Sequence, residues 1–236
     1  MKIIIILLTW QRPERLVKTI RYLKKQTYQN FDIHISNGNY EIADEINTIV
    51  KKVLETNDLK IKVTHDGNQY FCFRRFFIAK GYAESGYDAA MFLDDDIDIP
   101  INYVESFVRS YEPKTYHSAY TWIFRENGSD YYTKRTRVYN NDLPIKYGGA
   151  GVSMVDASVF LEKGLFNVPK EAYAIDDLWM SYYCDHVLGW KIKNVHIPDL
   201  RIGGGDAVAL YKALSTHKTS NKAAFLRKLV SMGWKV

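Results

Sequence analysis

Six consecutive apolar residues, Ile3-Ile4-Ile5-Ile6-Leu7-Leu8, constrain the fold of this 236-residue chain more than any other feature. Successive side chains in extended backbone point to opposite faces, so an unbroken apolar run needs cover on both. That is the setting of a central strand in a parallel sheet with helices above and below. The run is too short to cross a bilayer, Gln11, Arg12, Glu14 and Arg15 follow at once, and no small-residue cleavage site is present. No transmembrane segment is expected, and a cytoplasmic location is.

The same logic carries forward. Pro13 opens a helix, where its missing donor costs nothing, and Leu16, Ile20 and Leu23 recur at helical spacing. Phe31 to Ser36, Leu59 to Thr64 and Ala89 to Leu93 read as further strands, with helices over Glu41 to Glu55 and Phe71 to Glu84 between them. Strict alternation of strand and helix implies right-handed crossovers, hence an α/β fold: one Rossmann-like domain around a central mixed, mostly parallel sheet. Ligands in such sheets bind beyond the carboxyl ends of the strands. Thr9 to Arg12, Ser36 to Asn39 and Asp94 to Asp98 should therefore converge.

The second half is less regular. Tyr116 to Phe124 and Tyr131 to Tyr139 read as a hairpin, Val152 to Val155 and Lys191 to Val195 as strands. Asp156 should cap a helix ending near Lys163-Gly164; further helices are expected over Asp176 to Leu188 and Lys222 to Met232. Apolar residues make up 47% of the chain, enough to fill a core without disulfides. Cys72 and Cys184 sit in apolar stretches and read as buried thiols, which fits a reducing compartment. The net charge of +5 helps attract anions, but no dense basic block points to nucleic acid.

Phe92-Leu93-Asp94-Asp95-Asp96-Ile97-Asp98 carries the most chemistry. In extended backbone Asp94 and Asp96 share one side, an unfavourable pairing of like charges unless a proton or cation intervenes. Mg²⁺ or Mn²⁺ suits such oxygens and can hold two phosphates as well. The competing reading is a solvated acidic loop.

This segment resembles the Asp-x-Asp motif of sugar-nucleotide-dependent glycosyltransferases with the A-type fold. The opening Ile-Ile-Leu-Leu-Thr-Trp-Gln-Arg-Pro resembles the nucleotide-binding first strand and loop of their family-2-like group. Asn37-Gly38-Asn39 and Phe73-Arg74-Arg75 extend the likeness, which is good over residues 1–100 and thinner beyond. The resemblance implies a nucleotide-binding half, 1–100, and an acceptor-binding half with a C-terminal lid, 101–236, in a single domain. It implies Thr9, Arg12 and Asn37 near the nucleobase or ribose, and Arg74 or Arg75 near the nucleotide. Asp94 and Asp96 become metal ligands, with Asp95 positioning them or binding donor sugar hydroxyls.

Asp176-Asp177 resembles the family's Glu-Asp motif at a helix start, with Asp where Glu is usual. The resemblance makes Asp177 the base of an inverting reaction and Asp176 a contact to acceptor or sugar; plain helix capping is the competing reading. Trp179 and Tyr182 either stack on an acceptor sugar or pack in the core. His217 is the expected third metal or diphosphate ligand, with His196 its rival, and Lys218 and Lys222 are candidate phosphate contacts. The Gly203-Gly204-Gly205 stretch suits a lid.

The activity implied is transfer of a hexosyl group from a nucleotide-diphosphate sugar, UDP-linked by preference, to a hydroxyl on a glycan acceptor. A nucleotidyltransferase would want a Gly-rich basic loop after the first strand, and Thr9-Trp10-Gln11-Arg12-Pro13 is not one. A non-catalytic sugar-nucleotide-binding module remains an alternative. A dinucleotide dehydrogenase is disfavoured because no Gly-x-Gly-x-x-Gly follows strand one.

Overall fold

The computed structural model describes residues 1–55, 58–126, 130–202 and 222–236. The opening run is β1 (Ile3–Thr9), buried along its whole length. Its neighbours are β2 (Phe31–Asn37) on one side and β4 (Ala89–Asp94) on the other, both parallel to it, and β3 (Ile61–His65) lies parallel beyond β2. The main sheet continues past β4 with β10 (Val152–Asp156), β6 (Thr115–Ser118) and β11 (Lys191–Asn194), in the order β11-β6-β10-β4-β1-β2-β3. Only the β4–β10 and β10–β6 pairings are antiparallel, so the sheet is mixed and mostly parallel, as the alternation predicts.

Both faces of β1 are used. Ile3, Ile5 and Leu7 join a core closed by α1 (Pro13–Lys24), α2 (Ala43–Leu54) and α4 (Tyr103–Ser110). Ile4, Ile6 and Leu8 join a second core under α3 (Arg74–Glu84), α5 (Asp176–Tyr182) and α6 (Lys222–Ser231). Two apolar layers on one strand explain why no polar residue interrupts it before Thr9. Cys72 and Cys184 are free thiols, and burial pushes Cys184 far above the usual thiol range.

Several second-half expectations need correction. Tyr116 to Phe124 is two strands in different sheets, β6 and β7 (Thr121–Phe124). Ser118 breaks them apart: its hydroxyl accepts from Tyr120 N at 3.1 Å, a local turn that competes with the ladder. β7 then pairs with β8 (Arg135–Val138) and β9 (Tyr147–Gly148) in a small three-stranded sheet. β8 starts late because Asp130 binds Tyr132 N and the Thr133 hydroxyl (2.9 and 2.8 Å), holding those residues in a turn.

Asp156 does act as a cap, accepting from Ser158 N at 2.9 Å, but the capped segment is 3₁₀ (Ala157–Leu161) and breaks at the extended Glu162. The helix from Asp176 changes to a π turn over Tyr183–Val187. A short antiparallel pair, β5 (Ile97–Asp98) with β12 (Arg201–Ile202), was not expected.

Candidate active site

Register brings the charged residues together. Thr9 pairs with Asn37 and Leu8 with Asp94, so the ends of β1, β2 and β4 finish level on one edge. Because β10 runs antiparallel to β4, its start meets the end of β4, and Asp94 N donates to Gly151 O at 3.1 Å. A Cβ built on Gly151 would lie 1.9 Å from Asp94 Oδ2. The glycine is thus the cradle of this carboxylate. Gly151→Ala is expected to cost about 1–3 kcal/mol through overpacking and to displace Asp94, both readable by urea unfolding and metal titration.

The acidic tip differs from the extended geometry expected of it. β4 ends at Asp94 and the chain turns at residues 95 and 96. Asp95 is the buried member, 4% exposed, and Arg12 reaches it at 2.6 Å while lying 3.5 Å from Asp96 Oδ2. Burial pushes the Asp95 carboxyl up to about 7, against the pull of Arg12. Burial, then the neighbouring Asp94 charge, raises Asp96 as well. Asp94 and Asp96 keep side-chain exposures of 39% and 20% and remain open on the outer side.

Arg75 joins this tip to the later acids. Only 2% exposed, its Nη2 donates to Asp94 Oδ1 at 3.0 Å, and its Nε lies 3.0 Å from Asp176 Oδ2. That Nε–H is aimed at Cys72 O (3.2 Å), so the Asp176 contact is an ion pair rather than an aligned hydrogen bond. Burial opposes the guanidinium charge, and Asp176 and Asp94 more than restore it. Burial holds Asp176 above the usual carboxylate range despite Arg75.

Arg74, its neighbour, turns the other way. It donates to Ser36 Oγ (2.8 Å), Phe71 O (2.7 Å) and Thr9 O (3.3 Å), locking the ends of β1 and β2. Phe71 takes a positive φ of 44° to present that carbonyl, a strained backbone held by the arginine. Asn37 is fully buried, its side chain bound to Asn39 O (2.6 Å) and to His65 Nδ1 (3.0 Å).

Asp177 sits one residue inside α5, and its Oδ1 accepts from Leu178 N at 2.8 Å. Its Oδ2 takes two unforeseen partners, the Tyr147 hydroxyl and the Lys222 ammonium. Burial alone would raise this acid, but Lys222, Tyr147 and the Leu178 N–H outweigh it and hold it below the usual carboxylate range. Tyr131 completes the group, donating to Tyr147 Oη at 2.9 Å. Lys222 therefore lies on the candidate base. Tyr147 carried no signal in the sequence beyond its place before Gly148.

Trp179 and Tyr182 are core residues: the indole N–H donates to Leu165 O (2.8 Å), and Tyr182 packs edge-on against Trp234 at 5.9 Å. His217, Lys218 and Gly203 to Gly205 lie outside the described residues. Among the described residues no group of three or more His, Cys, Asp or Glu gathers to hold a metal. Nor is any helix among them long and apolar enough to cross a membrane.

The glycosyl transferase family 2 model matches residues 4–163, which carry β1 to β10 and the acidic tip. Among solved structures, the mannosyltransferase PcManGT from Pyrobaculum calidifontis, in complex with GDP-Man and Mn²⁺, aligns with a TM-score of 0.56 at 13% identity, over 82% of this chain and 54% of that one. S. aureus TarS 1-349 with UDP aligns at 0.59 and 11% identity, over 98% and 70%. GalNAc-T7 with UDP, GalNAc and Mn²⁺ gives 0.59 and 12%, over 85% and 43%. The chain spans about half the length of PcManGT (54%) and less of full TarS (42%). At these identities the likeness is one of fold. No curated protein matches the chain in sequence. With more than half of its residues inside the family's pattern, the chain belongs to glycosyl transferase family 2.

Proposed function

We propose that this chain transfers a hexosyl group from a nucleotide-diphosphate sugar, UDP-linked by preference, to a glycan hydroxyl, with a divalent metal and with inversion. One observation carries the reading: the buried Arg75 joins Asp94, at the carboxyl end of β4, to Asp176, at the start of α5 and next to Asp177. Relatives in fold solved with GDP-Man, or with UDP and GalNAc, and Mn²⁺ support the donor class.

Asp94 and Asp96 suit Mn²⁺ or Mg²⁺. Both are hard oxygen donors, the Asp94 charge makes ionising Asp96 costlier, and Gly151 lets the Asp94 carboxylate pack where a Cβ would stand. Bound there, the ion would supply positive charge for the departing diphosphate. His217 is the proposed third ligand, and Lys218 a phosphate contact. Thr9, Arg12 and Asn37 are assigned to the nucleoside and residues 1–100 to its half of the domain, with Arg74 holding the loop ends that shape it. Asp95, locked on Arg12, positions the metal pair.

Asp177 is the proposed base. A hydroxyl transferring its proton to Oδ1 would leave Oδ2 on Tyr147 and Lys222, which fix the carboxylate plane. Asp176 is proposed to contact acceptor or donor sugar. Residues 101–236 form the acceptor half. The test is a screen of UDP- and GDP-sugars with Mn²⁺, reading nucleotide release with glycan acceptors and with water. Release dependent on metal and donor supports transfer; nucleotide binding with no release from any donor would leave a non-catalytic module.

A further inference from the structure

One face of the small sheet meets the reaction above only through Tyr147. Trp122 stands opposite Arg137 and Phe124 opposite Arg135 across β7 and β8, while Trp122 faces Tyr147 across β9. Paired residues share a face, so these side chains form one layer. Trp122 stacks on Tyr147 with centroids 4.9 Å apart and planes 29° off parallel. The Tyr147 hydroxyl is the one on Asp177. The layer therefore starts at the candidate base and runs outward.

Both arginines lie over rings. Arg135 is 4.1 Å from the Tyr131 centroid and 4.9 Å from that of Trp122. Arg137 is 3.8 Å from Tyr120 and 4.8 Å from Tyr139, whose side chain is exposed. An aromatic face fixes the guanidinium plane and leaves its in-plane N–H fork to bind an anion. Among the described residues no such anion is supplied. Arg12, Arg75 and Arg109 each have a carboxylate within 3.0 Å, whereas neither Arg135 nor Arg137 has one among the described residues. Glu126, on the same hairpin, is taken by Lys134 at 2.6 Å. Arg137 Nε is buried without any acceptor among the described residues.

We propose that this face is the acceptor subsite and that it takes an anionic glycan, one bearing phosphate or carboxylate beside the reacting sugar. Tyr131 and Tyr147 are buried, so sugar rings would lie on the half-buried Trp122 and Tyr120 and the exposed Tyr139 while the arginine forks hold the acidic groups. The placement beside the reacting hydroxyl rests on Asp177 being the base.

The test is calorimetry on the full chain with trigalacturonate, glucose 6-phosphate and neutral maltotriose, comparing the parent with Arg135→Gln/Arg137→Gln. At least one anionic probe should bind about tenfold more tightly than maltotriose, and the double variant should lose that preference. The tighter of the two names the acidic group. A Lys51→Gln/Lys52→Gln variant, altered on exposed α2, should keep the preference. Arg137→Lys keeps the charge without the fork; should the double variant not fold, this variant should show the loss in weaker form. Equal binding of charged and neutral probes would overturn the proposal. So would a preference that survives loss of both forks or disappears with the α2 lysines. Nucleotide-sugar turnover is read separately: its absence with the anion preference intact would retract the transfer reaction and leave the anionic site standing.

Discussion

Asp177→Asn should bind donor nucleotide like the parent yet transfer sugar about 10²–10⁴-fold more slowly, the usual contribution of a general base. Asn keeps the shape of the side chain and one acceptor oxygen, for Leu178 N or for Tyr147, so in a folded variant the loss would report proton transfer. The electrostatics add a second readout. Lys222 and Tyr147 hold Asp177 below its ordinary value, and a base acts only when ionised. The acid limb of transfer should therefore lie below the ordinary aspartate pKa of about 3.9. Lys222→Met removes the ammonium that favours the ionised form, so the limb should move to higher pH. Parent-like turnover in Asp177→Asn, or an unmoved limb in Lys222→Met, would reassign the base.

Arg75→Met should cost about 3–5 kcal/mol in urea unfolding at neutral pH. Removing one member of a buried ion pair strands the other, and here it strands the buried Asp176 and takes one partner from the more exposed Asp94. The deficit should depend on pH with a definite sign. Asp176 already holds its proton more tightly folded than unfolded, and without the guanidinium it would do so more strongly. Where the folded state binds more protons, stability falls as pH rises. The unfolded value is the same in both chains, so the Arg75→Met deficit should shrink as pH falls from the variant's further-raised folded value to the parent's, about 6. A deficit constant across that window would mean that packing of the stem, not charge, is what Arg75 supplies.

Legibility in the sequence divides along a physical line. β1 was legible because burial on two faces leaves an unbroken apolar run, and α1 because Pro13 and the Leu16, Ile20, Leu23 spacing mark its start and inner face. Topology alone placed Thr9, Asn37 and Asp94 on one edge. The break at Ser118 was not legible, since a serine in a strand and one in a turn look alike without the partner at Tyr120 N.

The same holds within the site. Alternation predicted a shared side for Asp94 and Asp96, but not that the turn would bury Asp95 on Arg12, 83 residues away. The Tyr147–Asp177–Lys222 group joins residues up to 75 apart, and no local pattern records such a contact. Trp179 and Tyr182 sit at spacing that fits either a sugar platform or a core, and their burial decides for the core.

The central claim is that carboxylates at the tip of β4 hold a divalent ion with the donor diphosphate. Calorimetric titration of UDP and GDP into the parent and into Asp96→Ala, each with Mn²⁺ and with chelator, tests it most directly. One nucleotide is expected to bind the parent only with Mn²⁺ and to fail to bind folded Asp96→Ala. Equal binding in chelator, or undiminished Mn²⁺-dependent binding by Asp96→Ala, would contradict the claim.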